Sequence, residues 1–195
     1  MKKFFLFPAL VLMFAFPLYS QVAVNVFTGL SYSAFEDQEE SASAIPLGVA
    51  VGYAAMPNLE VGGELNLALP GYGFETELYD IKVTSTFKQN LVGVFGRYYL
   101  GKGNLKPFVK GGLGMYFGDA EVEVSYEGQK EKETIDVNGA LGFNLGAGVM
   151  LQKGFYAEFN YNIVSRKASD SETGEESDSF GMNTWAVQLG YRFKL

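Results

Sequence analysis

The last twelve residues, TWAVQLGYRFKL (184–195), set Trp185, Val187, Leu189, Tyr191, Phe193 and Leu195 against Thr184, Ala186, Gln188, Gly190, Arg192 and Lys194. Strict alternation of this kind specifies a β-strand with two unlike faces. A soluble protein would bury the apolar face and wet the other, whereas a membrane barrel turns the apolar face to lipid and the polar one to its lumen. Arg192 sits on the polar side, and an Arg pointed into lipid at mid-depth costs about 2–4 kcal/mol. Parity therefore assigns each residue to one face or the other.

Seven earlier segments repeat the pattern. Segment 22–35 has Val22, Val24, Val26, Leu30 and Tyr32 on its apolar face, and 45–56 has Ile45, Leu47, Val49, Val51 and Tyr53. Segment 59–69 sets Leu59, Val61, Leu65 and Leu67 against Glu60, Gly62, Glu64 and Asn66. In 90–100, Val92, Val94, Tyr98 and Leu100 oppose Leu91, Phe95, Arg97 and Tyr99, so that both faces carry apolar side chains. Segment 105–117 carries Leu105, Val109, Leu113, Met115 and Phe117. Segment 135–151 carries Ile135, Val137, Leu141, Phe143, Leu145, Val149 and Leu151 on one face, and 155–163 carries Phe155, Phe159, Tyr161 and Ile163. Strands of about nine or more residues cross a bilayer when tilted.

The connections alternate in length. Stretches 36–44, 70–89, 118–134 and 165–181 are long, while 57–58, 101–104 and 152–154 are short. Long loops at one rim and tight turns at the other match an outer-membrane barrel, whose short turns face the periplasm. The long loops also carry most of the acids, among them Glu36, Asp37, Glu39 and Glu40, then Asp170, Glu172, Glu175, Glu176 and Asp178. Among them, the acidic run 168–179 lacks the spacing of a calcium-binding loop. Within two of them apolar residues alternate out of phase with the neighbouring strand, at Tyr79, Ile81 and Val83 and at Val122, Val124 and Tyr126. The pattern predicts hairpins that project above the membrane, with β-bulges near 88–91 and 118–119.

The first residues, MKKFFLFPALVLMFAFPLYSQ, read as a secretory signal peptide over 1–20, cleaved after Ser20, with a barrel domain over 21–195. Mean hydropathy is only +0.05 although 48% of residues are hydrophobic, as expected when apolar residues are interleaved with polar ones. The absence of Cys excludes disulfides, thiolate metal sites and a lipidated N-terminal Cys. The absence of His removes the usual general base, and no enzyme and no cofactor are expected. A formal net charge of −7 argues against a nucleic-acid partner.

Six charged residues fall on inward parity in the strands: Glu60, Glu64, Arg97, Lys110, Glu158 and Arg192. Each lies about two to six residues from a short turn, which at ~3.3 Å per residue puts them in one layer of the periplasmic half. Strand adjacency suggests Arg97 beside Glu60 and Glu64, and Arg192 beside Glu158. An eight-stranded barrel holds only side chains inside, so these charges form an ion-paired plug or, alternatively, a gate in a narrow low-conductance channel for ions or small solutes. Outward aromatics form two sets, Tyr53, Tyr98, Phe155, Tyr191 and Phe193 toward the short turns and Tyr32, Phe117, Tyr161 and Trp185 toward the long loops, as in interfacial girdles.

The terminal Tyr191/Phe193 alternation, the block VGVFGRYYLGKG…KPFVKGGLGMYFG (92–118) and the strand LGFNLGAGV (141–149) together resemble the small eight-stranded outer-membrane barrels of the OmpA/OmpX type, grouped as outer membrane protein β-barrel domains or porin family proteins. The resemblance covers 21–195. It implies an all-β, eight-stranded antiparallel up-and-down transmembrane barrel in a bacterial outer membrane. It further implies contact with outer-membrane lipid and lipopolysaccharide, and a monomer with a structural or surface-interaction role. It also implies a C-terminal signal, here Tyr191, Phe193 and Leu195, that is read by the barrel-insertion machinery.

Overall fold

A computed structural model describes residues 21–35, 41–78, 81–101, 103–126, 129–135, 137–166 and 180–195. The signal peptide expected over 1–20 and the acidic residues of 36–40 and 170–178 lie outside these. Eleven strands are present among the described residues: β1 (Val22–Phe35), β2 (Ser41–Met56), β3 (Leu59–Leu78), β4 (Ile81–Phe87), β5 (Asn90–Tyr99), β6 (Leu105–Phe117), β7 (Ala120–Tyr126), β8 (Gln129–Ile135), β9 (Ala140–Leu151), β10 (Phe155–Arg166) and β11 (Phe180–Lys194).

Eight of them close a barrel. In ring order β1, β2, β3, β5, β6, β9, β10 and β11 each pair antiparallel with the next, and β11 returns to β1. Closure leaves no free edge in the ring, so every barrel strand is paired on both sides. The last residue is tied in as well, with Leu195 N donating to Val22 O at 3.0 Å.

The faces follow parity. Val94 is 62% exposed and Leu189 63%, while Asn25, Glu60 and Thr184 are fully buried. A continuous outward belt of Val, Leu and Phe is incompatible with a water-facing surface and fits a lipid-facing one. In β5, the strand with apolar residues on both faces, Leu91 and Phe95 point inward and are 4% exposed. The outward aromatics gather in two groups. Tyr32 stacks on its cross-strand partner Trp185 at 4.5 Å, with Phe159 beyond it. Toward the short turns, Phe155, Tyr191 and Phe193 meet edge to face at 4.7 Å.

Inside, glycine makes room for large neighbours. A Cβ at Gly52 would collide with the Glu60 carboxylate, and one at Gly190 with the Tyr156 ring. These side chains lie flat across the adjacent strand, which lets so narrow a bore hold them.

Above the barrel, the distal half of β3 continues with β4, β7 and β8 as a four-stranded sheet. The hairpins predicted from alternation are therefore joined edge to edge, and β8 is a strand that alternation did not reveal. The expected bulges are not at 88–91 or 118–119. Asn90 pairs with Phe117 below the break and Phe87 with Ala120 above it, so both strands advance equally and the register runs straight through. The register shifts lie in the β2–β3 ladder instead: a small one between Ala54 and Met56, and a bulge on β3, where Leu69 pairs with Ile45 but Gly73 with Ser43. It holds a cis Leu69–Pro70 bond and Gly71 at a φ of +132°, a conformation that suits glycine.

What changes at the break is chemistry, not direction. Phe87 and Ala120 point inward, as Leu91 and Tyr116 do below them. Below the break the apolar residues face out, toward lipid. Above it the apolar Val83, Val122 and Val124 share the inward parity, and the charged Lys82, Glu121 and Glu123 face out. Ile135 and Val137, expected on the lipid face of the sixth segment, are placed differently. Ile135 ends β8, Val137 is buried, and the barrel strand begins only at Ala140.

This inversion marks the membrane edge. Val94→Arg or Leu145→Arg is expected to lower stability in lipid vesicles by about 2–4 kcal/mol, and Thr84→Arg, outward on the continuation of the same strand line, by less than about 1 kcal/mol, as measured by urea unfolding.

Candidate functional site: a charged lumen

The six charges expected in the inner layer meet in one alternating chain. Arg192 Nη1 lies 2.8 Å from Glu60 Oε2. Glu60 Oε1 is 3.9 Å from Arg97 Nη1, and Arg97 Nη2 is 2.9 Å from Glu158 Oε2. Glu158 Oε1 is 3.2 Å from Lys110 Nζ, which lies 2.6 Å from Glu64 Oε2. Apart from Arg192, whose side chain is 11% exposed, all are almost completely buried.

The partners differ from those suggested by strand adjacency. Glu60 stands directly opposite Arg97 in the ladder, yet their contact is long. Arg97 instead makes its short ion pair with Glu158, on a strand across the bore. Glu64 takes Lys110 in place of Arg97. Arg192 reaches Glu60 and not Glu158, because the residue facing Glu158 on β11 is Gln188, a full four residues away from Arg192. The group is also not a flat layer. It runs obliquely from Arg192 at the short-turn mouth to Glu64 beside the upper void.

Neutral donors supply some of the remaining bonds, whereas Arg97 Nε and Nη1 and Arg192 Nε have no hydrogen-bond partner among the described residues. Tyr99 Oη donates to Glu60 Oε2 at 2.7 Å and accepts from Arg192 Nη1 at 2.6 Å. Asn144 Nδ2 donates to Glu64 Oε1 at 2.9 Å, and Asn25 Nδ2 reaches Glu60 Oε1 at 3.4 Å. Three rings surround the Arg97 guanidinium: Phe108 at 4.7 Å, Tyr156 at 5.2 Å and Phe95 at 5.4 Å. Their negative faces favour a cation that has lost its water. Further up, an amide and hydroxyl tier continues with Asn160 donating to Gln188 at 2.7 Å and Asn162 to Thr184 at 2.8 Å. Above that lies an apolar tier of Tyr72, Leu91, Tyr116, Val164 and Met182.

Open space is unevenly distributed. The short-turn mouth is a vestibule of about 1090 Å³ with Arg192, Glu60, Tyr99 and Lys106 in its walls. Between Glu64, Lys110, Asn144 and Asn160 there is a void of about 10 Å³, roughly one water in size. Ion pairs and rings occupy the section between the two.

Arg166, which sequence reading left inside a long loop, closes the opposite end. It is 1% exposed. Its Nη2 donates to Gly118 O at 2.9 Å and Val137 O at 3.0 Å, its Nε to Asn138 O at 3.2 Å and its Nη1 to Lys88 O at 3.3 Å. These carbonyls lie where β4–β5, β6–β7 and β8–β9 interrupt their ladders. One guanidinium thus answers the acceptors exposed where the projecting strands leave the barrel. The only sequence signal was a cation at the inward parity of β10.

Removing one partner of a buried pair leaves the other uncompensated, at about 3–5 kcal/mol. Arg97→Ala is expected to destabilise the barrel by that order, and Arg97→Ala with Glu158→Ala by clearly less than the sum of the single losses, as read by denaturant unfolding. Arg166→Leu should cost at least about 2 kcal/mol, since several charge-assisted bonds are lost together. The loss should appear first as faster amide exchange in β4, β7 and β8.

The family model described as "Outer membrane protein beta-barrel domain" matches residues 6–193. A search of curated proteins by sequence found no match. Among solved structures, the chain is similar to neisserial surface protein A, NspA, with a TM-score of 0.55 at 13% identity, covering 89% of this chain and 97% of that one. It is similar to Ail, the attachment invasion locus protein of Yersinia pestis, solved with the heparin analogue sucrose octasulfate. There the TM-score is 0.52 at 19% identity, with 89% and 99% coverage. A major outer membrane protein of Thermus thermophilus gives 0.50 at 13% identity, with 88% and 99% coverage. At these identities the likeness is one of fold, whereas the family match spans nearly the whole sequence: the chain belongs to the outer membrane protein β-barrel domain family.

Proposed function

We propose that this outer-membrane barrel is a non-enzymatic structural and surface-display protein whose lumen is sealed by its ion-paired chain. The observation that carries the reading is the alternating sequence Arg192–Glu60–Arg97–Glu158–Lys110–Glu64, with its one long link between Glu60 and Arg97, set among Phe95, Phe108 and Tyr156. Opening a path through it would strand charges in a medium where each needs its partner. No His or Cys is present to act as base or nucleophile, and the lumen carboxylates Glu60, Glu64 and Glu158 are engaged by cations. The barrel acts as a monomer among outer-membrane lipid and lipopolysaccharide. Residues 1–20 export it, and the outward C-terminal side chains Tyr191, Phe193 and Leu195 address the insertion machinery. The rigid bore then serves to hold the acidic loops and the four-stranded sheet at the cell surface.

Planar-bilayer recording of the refolded mature chain tests the seal. The expected result is silence or rare flickers, with steady steps appearing in Arg97→Ala. Steady ion-selective conductance in the unaltered protein would replace the seal with a narrow channel.

A further inference from the structure

The projecting sheet treats its carboxylates differently on its two faces. On the outer face, Glu121 lies 2.9 Å from both Lys88 and Lys132, Glu123 lies 2.6 Å from Lys130, and Glu75 lies 2.8 Å from Lys82. Hydrogen bonds from Lys88 and Lys132 hold the Glu121 carboxyl below the usual carboxylate range, and Lys130 does the same for Glu123. Among the described residues, each of these carboxylates on that face has a lysine partner.

The inner face differs. β8 places Glu131 opposite Val124 and Glu133 opposite Val122. Both carboxylates are exposed, and among the described residues neither forms an ion pair. Their inner-face neighbours on β7 and β4 are Val122, Val124, Tyr126, Val83 and Ser85, none of them cationic. Tyr126 is 50% exposed and Val124 37%. This apolar surface continues downward through Phe87 and Ala120 into the upper core. It stands on the water side of the polarity inversion, so lipid does not cover it.

We propose that the inner face of the β3–β4–β7–β8 sheet is a docking surface for an extracellular polypeptide segment that is both apolar and cationic. Val83, Val122, Val124 and Tyr126 supply the contact area, and Glu131 and Glu133 pair with Lys or Arg on the segment. Charge complementarity selects this occupant. A polyanion meets two unpaired carboxylates on a chain of net charge −7. An acyl chain would set the same carboxylates against hydrocarbon. The inference rests on the surface-display reading and names the chemistry of what is displayed to.

The absence of Cys makes placement and binding separately measurable. Ser125→Cys, on the outer face, is labelled in intact cells with a membrane-impermeant maleimide. Labelling is expected, and its failure would overturn the display reading itself. Binding is then measured on the full mature chain in zwitterionic nanodiscs, with each variant first shown to keep its β spectrum. The probes are a synthetic peptide of alternating Leu and Lys, its Leu/Glu counterpart, and sucrose octasulfate. The Leu/Lys peptide should bind alone. Its affinity should fall at least tenfold with Glu131→Gln plus Glu133→Gln, and likewise with Val124→Ser plus Tyr126→Ser, and stay unchanged with Lys82→Gln on the outer face. Labelling together with equal binding by all variants would overturn the docking surface while leaving display intact. Preference for the Leu/Glu peptide or the octasulfate would do the same, as would a doubled particle mass abolished by Val124→Ser, which would mark a second copy as the occupant.

Discussion

Backbone hydrogen bonding in hydrocarbon is the constraint from which the rest of this molecule follows. No water is available there to satisfy an N–H or C=O, so a strand can cross only inside a closed ladder. With eight strands the ring is narrow and its bore must be filled by side chains. Every charge that parity sends inward must then find a partner among a few neighbours. The chain from Arg192 to Glu64 is the outcome, and the rings of Phe95, Phe108 and Tyr156 favour the cation at its centre. Interior glycines such as Gly52 and Gly190 belong to the same argument, since only a missing side chain lets Glu60 and Tyr156 lie across the neighbouring strand.

Where the strands leave lipid, the constraint reverses. Outside is now water, and the outward positions become Lys82, Glu121 and Glu123 while the apolar residues move to the inward parity. The ladder is interrupted at 88–89 and 118–119, and the acceptors it frees are collected by the buried guanidinium of Arg166. A barrel built for lipid and a sheet built for water thus share continuous strands. Their join is held by one side chain from a third strand.

Much of this was legible in the residue order. Alternation sets which side chain meets lipid, because the strand period is two and an inward Arg192 admits a single phase. Loop lengths carried the up-and-down order and the projecting hairpins. The same alternation misled at two places. Val122 and Val124 looked like a strand that had slipped, but they kept their direction while the medium outside them changed. Ile135 and Val137 looked like the start of a barrel strand, but one ends β8 and the other is buried beside the join. Alternation reports polarity, and polarity equals direction only while the surroundings stay the same.

The sequence by itself determined the fold class, the lipid and lumen faces, and the membership of the charged group, since each of these depends on parity along one strand. Only the tertiary structure decided who pairs with whom. Arg97 meets Glu158 across the bore, and Arg192 meets Glu60 in place of Glu158, because strand stagger and the reach of long side chains are properties of the closed ring. The role of Arg166 was likewise invisible, since its partners are backbone carbonyls contributed by distant strands. Carbonyls are common to every residue, so nothing in the residue order marks which of them will be left without a ladder.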